Sequence, residues 1–376
     1  WAVTIGRNTQ LNDRGINLTE GELLKAHSIG NYRIDEHVES MAQDWDHILS
    51  ENSKNVSDFL RWILIMLTGE NVSSSQVLDK YRSLYLTDNL SAEEMANRVK
   101  FLRESCEKLK LVANAEWPFE SGQHTTSFHK TKLDWLVKKL KHTHAMPILL
   151  ASIGAGEKEF QKIINETCKF FIRYKVISNL HASIFSTLYP KISFDIYSKQ
   201  DRYKVIELQN EFSNSISSKD PNNEAFASGI KSLLYKRKGD NRPIKYLMIT
   251  IQENWGWLSC TVKKNVAERF KMEDRSIVFD FNNTSLEHLY PNSAREQDKD
   301  DEMEKLKNRI GNLTILDTNK NSSNADKPFV EKKSNFSNSG IGVHSLILQH
   351  DQWKGEQVNV LENEYIEKAI RVFSFS

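Results

Sequence analysis

The residues best suited to chemistry lie close together near the C-terminal end of the chain: Glu287-His288, Pro291 shortly after the histidine, Gly311-Asn312-Leu313, and then Asn321. Phosphodiester hydrolysis needs a base to take a proton from water and a hard cation to offset charge growing on the phosphate. His288 can supply the base. Glu287 and Asn321 offer oxygen ligands of the kind Mg²⁺ or Mn²⁺ accepts, one ion per site. Asn312 would act indirectly, its amide bracing the loop that carries the histidine. Each residue also has a plainer role available. A histidine after a glutamate is common on surfaces and in cores, and asparagine turns chains and caps helices, a reading that stays open for Asn324.

The elements that must position these residues change character along the chain. Thr19 before Glu22 and Ser91 before Glu94 are capping-box pairs, which predict helix starts over 17–27 and ahead of a long mixed-charge helix reaching residue 113. Leu133, Leu136, Val137 and Leu140 share one helical face, and residues 59–67 read as a buried helix interrupted by Arg61. Residues 213–223, rich in Ser and Asn with Pro221, read as a linker, and a further helical stretch follows over 224–253. Beyond Lys271, residues 276–281, 285–289 and 310–316 read as short β runs. The Asn-rich segment 319–324 leads to a helix over 327–335, and a last helix spans 362–373. The expected fold is therefore mostly α, with a helical N-terminal and middle region before a small α+β domain. The divisions are 1–30, a helical domain 31–212, the linker 213–223, a helical connector 224–275, the α+β domain 276–345, and a C-terminal helix 346–376.

Bulk properties set limits on this reading. In 376 residues, 51 Lys and Arg balance 50 Asp and Glu, so affinity for nucleic acid must come from local basic surface. Two such stretches are Lys138-Lys139-Leu140-Lys141 near Trp135, and Lys236-Arg237-Lys238 with Tyr235 and Arg242. Each could neutralise phosphates or serve only as a solvated face. Cys106, Cys168 and Cys260 are far apart, which suits neither a zinc site nor a disulfide framework and fits a reducing, cytoplasmic setting. No apolar run approaches the roughly 20 residues a bilayer crossing needs, so no membrane partner is expected. The chain opens on Trp1, which reads as a fragment of a longer protein.

The stretch Ser285-Leu286-Glu287-His288-Leu289-Tyr290-Pro291, then Arg309-Ile310-Gly311-Asn312-Leu313-Thr314-Ile315-Leu316, Asn321, and Pro328-Phe329 with Lys332, resembles the HNH domain of GmrSD-type modification-dependent restriction endonucleases. This is the ββα-metal, or His-Me finger, fold. The acidic-His-x-x-Pro pattern and the paired asparagines are also similar to the HNH domain of RNA-guided CRISPR nucleases. The resemblance implies Glu287 and Asn321 at the metal, His288 as base, and cleavage of foreign, modified DNA in bacterial antiphage defence. Where the family has a second asparagine before the Phe, this chain has Asp326, leaving Asn324 or Asp326 as the accessory metal residue. Lys332, on the family helix, would meet a phosphate or lie solvated.

At the other end, Asn12-Asp13-Arg14-Gly15, Leu18-Thr19 and Leu24-Lys25 resemble the close of a ParB/sulfiredoxin-like domain. The Asp-Gly-Gln-Gln-Arg signature of that domain is absent, so no nucleotide site is expected in this chain. The rival reading is a non-catalytic nucleic-acid-binding or scaffold protein that retains an HNH shell. Loss of Glu287, His288 or Asn321 would have marked it, and all three are present. RNA in place of DNA, and assembly into a homo-oligomer, stay open.

Overall fold

The computed structural model describes residues 18–33, 36–51, 53–120, 127–262, 264–275, 281, 284–317 and 326–375. Its residues fall into two compact units: one formed by 1–125, 133–163 and 183–204, the other by 126–132, 164–182 and 205–376.

The first unit is helical among its described residues. Both capping boxes form: Thr19 N donates to Glu22 Oε2 (2.7 Å) and opens Glu20–Gly30, while Ser91 N donates to Glu94 Oε2 (2.8 Å) and opens Ala92–Ala113. Residues 59–67 lie inside Ser53–Thr68, which packs against Ala92–Ala113, Met146–Gly154 and Ser183–Lys199. Leu60, Ile63, Leu102, Ile148 and Ile192 are buried along these faces, removing their side chains from water. Leu133 and Leu136 are buried where Ser127–Asp134 gives way to the π-turn Trp135–Lys139.

The second unit sets helices around a two-stranded antiparallel sheet, β1 (Thr284–His288) and β2 (Leu313–Asp317). Arg242–Glu253 lies against both strands, and Gly355–Val372 lies against the turn that enters β2. A buried ionic group ties remote segments together. Glu166 accepts from Arg269 (2.7 Å) and Gln209 (3.0 Å) and pairs with Lys169. Arg269 also donates to the carbonyls of Val372 (2.7 Å) and Ser374 (2.9 Å), so its buried charge is matched by acceptors.

Several expected boundaries move. The linker 213–223 is absent: Val205–Lys219 runs through most of it, with Phe212 and Ile216 buried. Ser215 returns its hydroxyl to the Glu211 carbonyl (2.8 Å), so apolar burial outweighs the weak helix preference of Ser and Asn. Asp220 then accepts from Ala225 N (2.9 Å) and Phe226 N (3.1 Å), starting the next helix rather than a flexible joint. The stretch 224–253 divides into Glu224–Lys231 and Arg242–Glu253. Residues 224–275 are no mere connector and 276–345 no separate domain, since both belong to the second unit. The physical reason is size: a two-stranded hairpin has too little apolar face to stand alone. The last helix, Gly355–Val372, begins earlier than expected. Of the predicted β run 276–281, only Phe281 is among the described residues.

Candidate active site

The hairpin pairs Glu287 with Thr314 and His288 with Leu313, and the Leu289 N–H continues the ladder to the Asn312 carbonyl (2.9 Å). Asn312 is fully buried and uses its whole amide. Its Oδ1 accepts from Tyr290 N (2.8 Å), and its Nδ2 donates to the carbonyls of Tyr290 (2.9 Å) and Lys307 (2.8 Å). The backbone leaving His288 is thereby fastened to the turn entering β2. That turn is itself clamped. A Cβ on Gly311 would collide with the Val358 carbonyl, so glycine alone lets the helix Gly355–Val372 approach this closely. Arg309 pairs with Glu362 and donates to Asn359 (3.0 Å), while Tyr365 donates to the Leu313 carbonyl (3.0 Å).

His288 is 7% exposed, and its Nε2 is buried without a hydrogen-bond partner among the described residues. The Tyr235 ring meets the imidazole edge to face at 4.5 Å. Burial lowers the histidine to about 4, the Lys332 and Lys307 charges push the same way, and a hydrogen bond with the Asn308 side chain opposes them. The ring is therefore neutral at physiological pH. Tyr235 reaches it because Leu234 bridges to Arg309 and the Tyr235 N–H donates to the Asn308 carbonyl (2.8 Å). The exposed residues Lys236, Arg237 and Lys238 follow at once, in a turn closed by Asn241, which bonds both the N–H and the carbonyl of Lys236 at 2.8 Å.

Lys332 overturns its sequence reading as a DNA contact. It is fully buried, with its ammonium on Glu287 Oε1 (2.7 Å) and on the His288 carbonyl (2.6 Å). A phosphate cannot reach it in this position, because Phe329 and Phe336 on the same helical face carry it into the core. Burial raises Glu287 and lowers Lys332, each against the pull of the other. Asp326 is an exposed carboxylate that pairs with Arg295 (3.2 Å) and also supports the Lys332 charge. Asn321 and Asn324 lie outside the described residues.

Among the described residues no group of three His, Cys, Asp or Glu could hold a metal. The donor type nevertheless suits a hard cation: Glu287 brings carboxylate oxygens, and Mg²⁺ commonly takes only one or two protein carboxylates beside water and phosphate. Lys138 and Lys139 belong to the first unit, whereas His288 is in the second. Sequence reasoning missed Asn308 and the clamp of Arg309 on Glu362. Asn308-Arg309 adjoins the Gly-Asn run, a signal too local to reveal partners so distant in the chain.

No helix among the described residues is long and apolar enough to cross a membrane. No curated protein matches the chain. Residues 195–368 match the family described as GmrSD restriction endonucleases, C-terminal domain, and this span holds Glu287, His288, Asn312, Asn321, Lys332 and the basic turn. It does not reach the N-terminal segment that resembles a ParB/sulfiredoxin-like domain. Residues 195–368 are thus similar to the C-terminal domain of GmrSD-type restriction endonucleases.

Proposed function

We propose that this domain is an HNH-type, metal-dependent endonuclease that hydrolyses DNA, with His288 as the general base. The observation that carries the reading is the His288 ring. It is packed by Tyr235, its backbone is anchored through Asn312 and Lys332, and its Nε2 has no partner among the described residues. A neutral imidazole can take a proton from water, and an approaching phosphodiester anion would raise its basicity. Glu287 and Asn321 would hold Mg²⁺ or Mn²⁺, with Asn324 or Asp326 as accessory residue. When bound, the ion offsets charge on the phosphate and the departing oxygen.

Lys332 holds the Glu287 carboxylate and the His288 carbonyl together, so the base and the metal ligand keep a fixed relation along β1. The turn of Lys236, Arg237 and Lys238 would neutralise backbone phosphates without reading bases. The products would be a 5′-phosphate and a 3′-hydroxyl. In its biological setting the enzyme would restrict foreign, modified DNA in bacterial antiphage defence.

The test is cleavage of modified and unmodified plasmid in Mg²⁺, Mn²⁺ or EDTA by the chain and by His288→Ala. We expect metal-dependent nicked or linear product, reduced roughly 10²–10⁴-fold in the variant. Equal cutting by both proteins rejects His288 as base. Cutting that survives EDTA rejects the metal.

A further inference from the structure

The first unit contains a partly open cavity of about 290 Å³ whose lining residues all precede the family match. Part of its wall is aromatic, formed by Trp62 from Ser53–Thr68, Phe185 and Tyr189 from Ser183–Lys199, and His144. This wall is held in place. The buried His142 shares a 3.0 Å hydrogen bond with the Tyr189 hydroxyl and meets the Phe185 ring edge to face at 4.7 Å. Phe185 and Tyr189 also pack on each other at 5.2 Å.

The same lining contains Arg61. One arm of its guanidinium donates to Asp58 (3.1 Å), but its Nε is buried with no hydrogen-bond partner among the described residues. A buried donor left unsatisfied is uncommon, and a guanidinium beside aromatic faces is suited to an anion attached to a flat ring. Asn71 adds an exposed amide to the rim. A purely apolar ligand would leave the Arg61 Nε unmatched, and a bare anion would leave the aromatic surface unused. The volume sits at the small end of ligand pockets, roughly 300–1,000 Å³, which suits one nucleotide and excludes a duplex.

We propose that this cavity binds a single nucleotide, its base against the aromatic wall and its phosphate on Arg61. The nucleotide could be free in solution or be one unit of single-stranded DNA, and the two share this chemistry. Binding here needs nothing from His288, so either reading can fail alone.

The intact chain, held in EDTA, would be titrated with 2-aminopurine deoxyriboside 5′-monophosphate. In parallel it would be titrated with a single-stranded oligodeoxynucleotide carrying one 2-aminopurine. Stacking on the wall should quench the base fluorescence. Arg61→Ala should weaken binding roughly ten- to hundredfold, and Arg61→Lys, which keeps the charge but loses the Nε donor, should weaken it less. Thermal melting checks that the variants fold; if Arg61→Ala does not, Arg61→Lys decides. Arg61-dependent quenching of the mononucleotide supports a free nucleotide as ligand, and quenching confined to the oligonucleotide supports a DNA base. No quenching of either probe, or quenching indifferent to Arg61, overturns the proposal.

Discussion

Asn312 offers the sharpest test of how the hairpin holds its histidine. Asn312→Ala removes three hydrogen bonds at a fully buried position and leaves the N–H and carbonyl of Tyr290 and the carbonyl of Lys307 short of partners. At about 1 kcal/mol net per bond, with an added cost for buried groups left unpaired, the loss is about 3–5 kcal/mol. That is a large fraction of the roughly 5–15 kcal/mol that stabilises a domain. The melting transition of the second unit should fall by roughly 6–20 °C in calorimetry. Cleavage measured well below the new transition should also fall, because a displacement of about 1 Å in a positioned base can cost on the order of 10²-fold. Asn312→Asp separates hydrogen bonding from shape. It keeps the acceptor for Tyr290 N but turns carboxylate oxygen toward two carbonyls, so it should destabilise at least as much as alanine despite equal size. A melting point within about 1 °C of the parent for either variant would refute the bracing argument.

Three further outcomes follow from the same geometry. Lys332→Met should cost about 3–5 kcal/mol in urea unfolding because it strands the buried Glu287 carboxylate, and adding Glu287→Gln should recover part of that loss; equal stability of single and double variants would remove the ion pair from the account. Replacing Lys236, Arg237 and Lys238 together by alanine should leave melting unchanged, and should reduce the slope of log affinity for DNA against log salt by roughly 0.9 for each phosphate no longer neutralised. Burial holds His142 well below the ordinary histidine value, so the unfolded chain takes the proton first as pH drops below about 6.5. The stability that the neutral ring contributes above that pH is then lost with acid, and His142→Gln should flatten the decline in melts run from pH 8 to 5.

Much of the architecture is written in short-range chemistry. The capping boxes at Thr19 and Ser91 form because their partners sit within one helical turn, and β1 and β2 arise near the expected places because strand preference is local too. The order Glu287-His288, then Asn312, likewise marked the hairpin, since a family motif is a pattern along the chain. Other features depended on residues that meet only after folding. The Ser- and Asn-rich segment became helix because Phe212 and Ile216 found a core, an energy that composition does not register. Lys332 read as a solvated or DNA-facing cation, yet the helix bearing it turns Phe329, Lys332 and Phe336 inward, where Glu287 and the His288 carbonyl wait. Tyr235 reached His288 only through the bridge from Leu234 to Arg309. Residue types and spacing therefore determined which groups can do chemistry, whereas burial and long-range pairing decided their charge, their partners and their freedom to act, because solvation and Coulomb energy depend on neighbours in space rather than in sequence.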